Sequence, residues 1–373
     1  MKLRLILMLM AVIFSARGQQ IINESYPAQG LILQHYTSSE PWSIYVLKID
    51  LRTPSLALTA AKANRHLFSL ATTSAIAEFN NSPESPVLAA INGDFFHSSG
   101  VPTGGMEVHG EVLKQPIKHS VFGITVAGKP FIDVIDLGSW LEIGATRIDI
   151  NGYNTPRVED QTVVYNRYYG RSTRTNTWGS EYFLRYIDAP RSLNDTLRLV
   201  VQTVQVGVGD MLIPEDGIIL SSHGTATTTL TNSLSLLDTV QYITQIKPLN
   251  EKVEYFVSGL PRIIRDGKIS VEADEGPNKH IDPRHPRTAV GYDKSGKIIY
   301  FVVVDGRQPA YSVGMSLDEL ARFMVRIGVH QGLNLDGGGS SALVVKDQIV
   351  NRPSDTTGER AVSNALLVIQ KNK

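Results

Sequence analysis

Leu333-Asn334-Leu335-Asp336-Gly337-Gly338-Gly339-Ser340-Ser341, followed by Ala342-Leu343-Val344-Val345, decides how the chain is read. A short apolar strand ends in an acid, three glycines follow, and the chain resumes as strand rather than helix. Glycine lets a ligand approach the backbone closely, and successive N–H groups in such a turn can form a concave nest for an anion. A tight hairpin is the plainer alternative. An acid, an amide and two hydroxyls crowded into the same residues favour a site.

Upstream, the pattern continues. Arg287-Thr288-Ala289-Val290-Gly291-Tyr292-Asp293 opens a strand, and Lys294-Ser295-Gly296-Lys297 reads as a hairpin turn. The run Ile298 to Val304 then delivers Asp305-Gly306-Arg307 to its far end. Between the two Asp-Gly strand ends lies a marked helix. Ser316 is an N-cap with Glu319 three residues on, a capping box, and Leu317, Leu320, Phe323, Met324 and Ile327 share one face. Two strands that each end in Asp-Gly imply two carboxylates at one sheet edge. Paired carboxylates are what glycoside hydrolysis uses, so Asp336 and Asp305 are the catalytic candidates. Arg287 and Arg307 are the nearest guanidiniums, and the planar fork of arginine suits phosphate. The proline-held Asp282-Pro283-Arg284-His285-Pro286 is expected to overhang the site.

Strand-length apolar runs occur at Trp42 to Leu51, Pro86 to Ile91, Val121 to Val126, Phe131 to Ile135, Gln161 to Tyr165, Tyr182 to Ile187, Leu197 to Val206, Gly217 to Leu220, Val253 to Val257 and Ala365 to Ile369. A second helix is expected near Leu70 to Phe79. There is no regular βαβ alternation, so the expected class is α+β, with strand-rich mixed sheets and a few helices in a single large domain. Asn151 to Gly179, rich in Tyr, Arg, Thr and Asn, reads as a long surface excursion.

The 373 residues are 42% hydrophobic and 19% charged with zero formal net charge, enough for a large core. That balance carries no nucleic-acid footprint and no polybasic membrane patch. No segment beyond the start has the apolar length of a membrane span. Residues 1–18 run from Lys2 and Arg4 through an apolar stretch, Leu5 to Phe14, to small residues at Ser15, Ala16 and Gly18. This is the pattern of a secretory signal peptide, and it implies an exported protein, periplasmic or extracellular. The chain has no cysteine, which excludes disulfides, thiolate metal sites and a cysteine nucleophile. The nine histidines show no metal-protease spacing. No cofactor is expected; a divalent metal on Asp and Asn oxygens is compatible with the chain, but no spacing indicates one. Nothing in the sequence sets an oligomeric state. His223, after the Gly217 to Leu220 run, is a candidate for facing a cleft, against the plainer role of a structural histidine.

Arg287-Thr288-Ala289, Asp305-Gly306-Arg307, the Asn334 to Ser341 stretch and Val362-Ser363-Asn364-Ala365 stand in an order and spacing that resembles the phosphodiester glycosidase family. Ile91-Asn92-Gly93-Asp94-Phe95-Phe96, Gly104-Gly105 and Phe122-Gly123 fit the same pattern, and Tyr165, Thr175, Asn176 and Glu181 resemble its bacterial members. The likeness runs from about Trp42 to Ile369, making residues 19–373 one phosphodiester glycosidase-like domain. Asp94 departs from the pattern, where glycine is frequent, and takes no role from it. The resemblance implies a glycan phosphodiester as the substrate partner. Arg287, Arg307 and the backbone of Gly337, Gly338, Gly339 and Ser340 would hold the phosphate, Asn92 and Asn334 would orient sugar hydroxyls, and Thr288, His223 and Glu181 are further candidates for contact with the substrate. Two other readings stay open: a metal-assisted phosphodiesterase that cuts the P–O bond, and a non-catalytic module that binds glycan through Tyr165 to Trp178.

Overall fold

A computed structural model describes residues 19–272 and 283–371. The signal-peptide segment 1–18 and Asp282 lie outside the described residues. Four sheets and three α-helices make up the described chain, strand-rich as expected for α+β.

An eight-stranded sheet carries Leu333 and Asn334, which lead into the glycine-rich loop. Its central strands are Ser43–Asp50, Ile298–Val304, Arg287–Tyr292 and Gln331–Asn334, in that spatial order. Each neighbouring pair is antiparallel; Arg287 faces Val304 and Ala289 faces Asn334. The strands ending at Val304 and Asn334 therefore run parallel to each other, with the start of Arg287–Tyr292 between them. Alternation and β-branching explain the strands themselves. Ile299, Phe301 and Val303 enter one core cluster, while Tyr300, Val302 and Val304 enter another on the opposite face. The Leu317–Arg326 helix covers that second face through Leu317, Leu320, Phe323 and Met324.

The helix begins where the sequence places it. Ser316 Oγ accepts from the Glu319 amide at 3.2 Å, and Glu319 Oε2 accepts from the Ser316 amide at 2.9 Å. Glu319 also receives Arg284 at 2.5 Å, and Arg284 reaches Glu40 at 2.6 Å. The proline-held loop is thus fastened to the start of this helix.

A five-stranded sheet stands against the first. It holds Val87–Asn92 between Leu343–Val345 and Asn364–Gln370, with Leu56–Lys62 beyond. The second eight-stranded sheet, built from strands between residues 136 and 247, has its own core, with Leu141, Tyr182, Leu199 and Tyr242 in it. A second five-stranded sheet includes Met106–Val108, Ser120–Thr125 and Val253–Ser258.

The region 151–179 is not the surface excursion its polar composition suggested. Tyr165, Tyr168 and Tyr169 are buried in the main core cluster, and Thr162–Tyr165 is a strand paired to Gly217–His223. Aromatic rings bury large apolar area even in a polar neighbourhood, and their hydroxyls find partners: Tyr165 OH donates to Thr155 O at 2.8 Å.

Ser316→Ala should lower unfolding free energy by about 1 kcal/mol, the usual value of an N-cap, measured by urea denaturation. Unchanged stability would mean that the box does not fix the helix start.

Candidate active site

The ends of two sheets meet at Asn92. Its Nδ2 donates to Asp336 O at 2.6 Å, and its Oδ1 accepts from Thr288 Oγ at 2.8 Å and from the Ala342 amide at 3.1 Å. The Asp336 amide in turn donates to Gly93 O at 2.9 Å. A cavity of about 630 Å³ opens here, and Asp336, Asn334, Arg287, Arg307, Arg360, Gly337 and Gly338 are in its lining. Phe95, Phe96, Leu260, Pro261, Pro286 and Leu317 add apolar surface to the same lining.

Asp336 and Arg287 therefore share one opening, as expected from two strand ends on one edge. Burial pushes the Asp336 carboxyl up to about 6, while the Ser340 hydroxyl, the Arg360 charge and the Gly337 amide oppose the rise. The same burial lowers Arg287 to about 10, and the charge of Arg307 adds to the fall. Arg287 is 6% exposed; its guanidinium donates to Met315 O at 2.9 Å and Pro283 O at 3.0 Å. Arg307 stands at φ +58, a region that costs a non-glycine residue about 1–2 kcal/mol. No carboxylate among the described residues pairs with it. Cations pushed together in a half-dry cavity are relieved by an anion.

The glycines make room for those cations. Gly338 sits at φ +65, and a Cβ there would come within 3.1–3.4 Å of the Arg307 guanidinium. A Cβ on Gly339 would lie 2.5 Å from Arg360 Nη2. The expected amide nest is largely spent within the chain. Gly338 N donates to Pro286 O, Ser340 N to Gly337 O and Ser341 N to Gly338 O. Grip on an anion therefore falls to side chains. Asn334 donates through Nδ2 to Leu260 O at 2.7 Å, and its buried Oδ1 has no partner among the described residues, so it offers an acceptor to a ligand hydroxyl.

Several candidates lie elsewhere. Asp305 is 1% exposed and does not line the cavity. Its carboxylate accepts from Tyr311 OH at 2.9 Å, Asn351 Nδ2 at 2.8 Å and the Arg352 amide at 3.0 Å. It emerges at the expected edge and turns back to fasten the loop beyond Val350. Glu181 is fully buried in the second eight-stranded sheet, accepting from Thr175, Ser221 and the Met211 amide. His223 ends the Gly217–His223 strand beside Trp178, with ring centroids 6.2 Å apart, and is not in the cavity. Thr288, Asn92, Gly339 and Ser340 are buried behind the lining rather than in it.

Sequence reasoning missed Arg360, which sits in an irregular loop paired to Asp355 at 2.6 Å and had no local signal. It also missed His119 and Glu272, and gave no site role to Phe95, Phe96 or Asp94, whereas His285 and Pro286 line the cavity from the loop expected to overhang it. Among the described residues no cluster of His, Cys, Asp and Glu suits a metal ion. No described helix is long and apolar enough to cross a membrane.

Residues 194–369 match the family model described as phosphodiester glycosidase. Over that segment the chain is similar to the phosphodiester glycosidase family. N-acetylglucosamine-1-phosphodiester alpha-N-acetylglucosaminidase of Mus musculus is 34% identical over 121 residues, 30% of this chain and 23% of that protein. The Homo sapiens protein of the same name is 33% identical over 110 residues, 26% of this chain and 21% of its own length. The match thus spans under a quarter of these curated relatives. A hypothetical protein from Synechocystis shares the fold with a TM-score of 0.68 at 21% identity, over 96% of this chain and 64% of that one. The zebrafish N-acetylglucosamine-1-phosphodiester alpha-N-acetylglucosaminidase catalytic domain gives 0.50 at 15% identity, over 96% and 89%.

Burial also pushes Asp94 up, to about 8. An acid with a raised folded value favours the folded state at low pH and loses that contribution as pH climbs through the raised value. Asp94→Asn should therefore gain stability relative to the parent as pH rises from about 4 to about 8. Urea melts at several pH values read the difference, and a constant difference would contradict the burial of this acid.

Proposed function

We propose that the chain is a hydrolase that cleaves the glycosidic bond of a sugar-1-phosphodiester, releasing the sugar and a phosphomonoester. The observation that carries this is one cavity holding Asp336 beside Arg287, Arg307 and Arg360. Water attacks the anomeric carbon, the C1–O bond breaks, and the electron pair leaves with the phosphate. Phosphate is far less basic than a sugar alkoxide, so charge stabilisation matters more than proton donation to the leaving oxygen. The arginines supply that stabilisation. Asp336, ionised above about pH 6, takes the proton of the attacking water and faces the oxocarbenium-like centre. Asn334 Oδ1 meets a sugar hydroxyl, and Phe95 and Phe96 offer an apolar face to the ring.

The likeness to the phosphodiester glycosidase family and this charge pattern support a glycan phosphodiester as the substrate class. Residues 1–18 read as a signal peptide, so the site of action is the periplasm or the extracellular space.

Asp336→Asn should cut release of sugar by about a hundred- to ten-thousandfold, the range of a lost general base, with an unchanged melting profile. Arg307→Ala should raise KM about tenfold or more, the value of a hydrogen bond to a charged group. Near-parental rates in Asp336→Asn would remove that acid from the mechanism. Hydrolysis in 18O-labelled water should place the label on the sugar; label in the phosphate would mean that the P–O bond is cut instead.

A further inference from the structure

Asp94 is a buried acid beside the cavity that the reaction above leaves unused. It is 2% exposed; its amide donates to Asn364 Oδ1 at 2.9 Å, and its Oδ2 accepts from the Gly104 amide at 2.7 Å. The two residues before it, Asn92 and Gly93, bond directly to the backbone of Asp336. The residue after it, Phe95, lines the same cavity as Asp336, as does Thr103, next to the Gly104 that holds the Asp94 carboxyl. The two acids are thus carried on segments bonded backbone to backbone.

The groups facing Asp94 come from several elements. Lys114, at the end of Glu111–Lys114, attracts the carboxylate, with its own Nζ on Pro102 O and Thr103 O at 2.6 and 2.7 Å. Asp336, after Gln331–Asn334, repels it. Asn364 and Ser258, from their strands, present only neutral groups on this side. An anionic substrate beside two ionised carboxylates would meet two repulsions, whereas one shared negative charge leaves the arginines dominant.

We infer that Asp94 is a positioning residue of the reaction centre, keeping its proton while Asp336 is ionised, so that the pair presents a single negative charge to the bound phosphodiester. This rests on the function proposed above. Desolvation, the largest cause, carries Asp94 up to about 8 against the pull of the Gly104 and Phe95 amides and Lys114, while Asp336 reaches about 6. Between those values the pair holds one proton. A phosphomonoester has its second pKa near about 6, below Asp94, so the proton remains on Asp94 and is not passed to the leaving group. Loss of it at alkaline pH lowers turnover.

Two measurements on the full chain test this. The first needs no substrate: infrared difference titration of protein labelled with 13C-aspartate, in the parent, Asp94→Asn and Asp336→Asn. A protonated carboxyl band at pH 7 that titrates near pH 8 and is absent from Asp94→Asn is expected. In Asp336→Asn its midpoint should fall as the like charge disappears. No such band, or the same midpoint in Asp336→Asn, would overturn the inference. The second is the pH dependence of kcat/KM on a sugar-1-phosphodiester. The parent should lose about tenfold between pH 7 and pH 9, whereas Asp94→Asn should keep its pH 7 value at pH 9; an alkaline loss equal to the parent's would also overturn it. Should Asp94→Asn fail to fold, Lys114→Gln decides, since removing the cation must raise both the band's midpoint and the alkaline limit. A parent that turns over no sugar-1-phosphodiester defeats the proposed function, while the coupling of the two carboxyls is judged by the titration alone.

Discussion

The buried amide of Asn92 is the constraint on which the site depends. One side chain satisfies Asp336 O, Thr288 Oγ and the Ala342 amide. Thr288 lies on the eight-stranded sheet, Asp336 just beyond it, and Ala342 at the entry to the five-stranded sheet that also contains Asn92. A buried polar group must be bonded or it costs about 1–3 kcal/mol, so each of these contacts enforces the others. The junction cannot slide without orphaning several groups at once. That is why the acid of a glycine-rich loop, on the most permissive backbone in the chain, still occupies a defined place.

Low polarity then acts on the gathered charges with opposite signs. Withdrawal from water disfavours any ion, so it raises the acids Asp336 and Asp94 and lowers the base Arg287. The Asp336 shift is modest because Arg360 and the Gly337 amide support its ionised form. Arg307, with no acid partner among the described residues and a strained backbone, is the least satisfied of the cations. Its discomfort is relieved by the kind of group the pocket would bind, a pattern common where strain and charge are kept for function.

Much of the fold was legible because period-two alternation and a capping box are local signals. The Ile298–Val304 strand and the Leu317–Arg326 helix could be placed from their own residues. Polar composition misled where tertiary burial prevailed: Tyr165, Tyr168 and Tyr169 are core in a segment that looked exposed. The site was half legible. Asp336, Arg287, Arg307 and Asn334 could be nominated because strand ends on one edge bring them together. Asp305 shares that edge but points to Tyr311, Asn351 and Arg352, and side-chain direction at a strand end depends on what the following loop returns with. Asp94 reaches the cavity region through contacts some 240–270 residues apart, Asp336 with Gly93 and Asn364 with Asp94, which no local pattern encodes, and Arg360 lines it from an irregular loop held by Asp355.

The Asn364–Gln370 strand lies inside its sheet, paired on one side with Val87–Asn92 and on the other with Leu56–Lys62. Its first residue also holds the Asp94 amide. During synthesis two early strands must therefore wait, unjoined, for a partner made some 270 residues later. A nascent chain that stops short of residue 364 lacks this strand, so the earlier strands must be shielded from wrong pairing until it arrives.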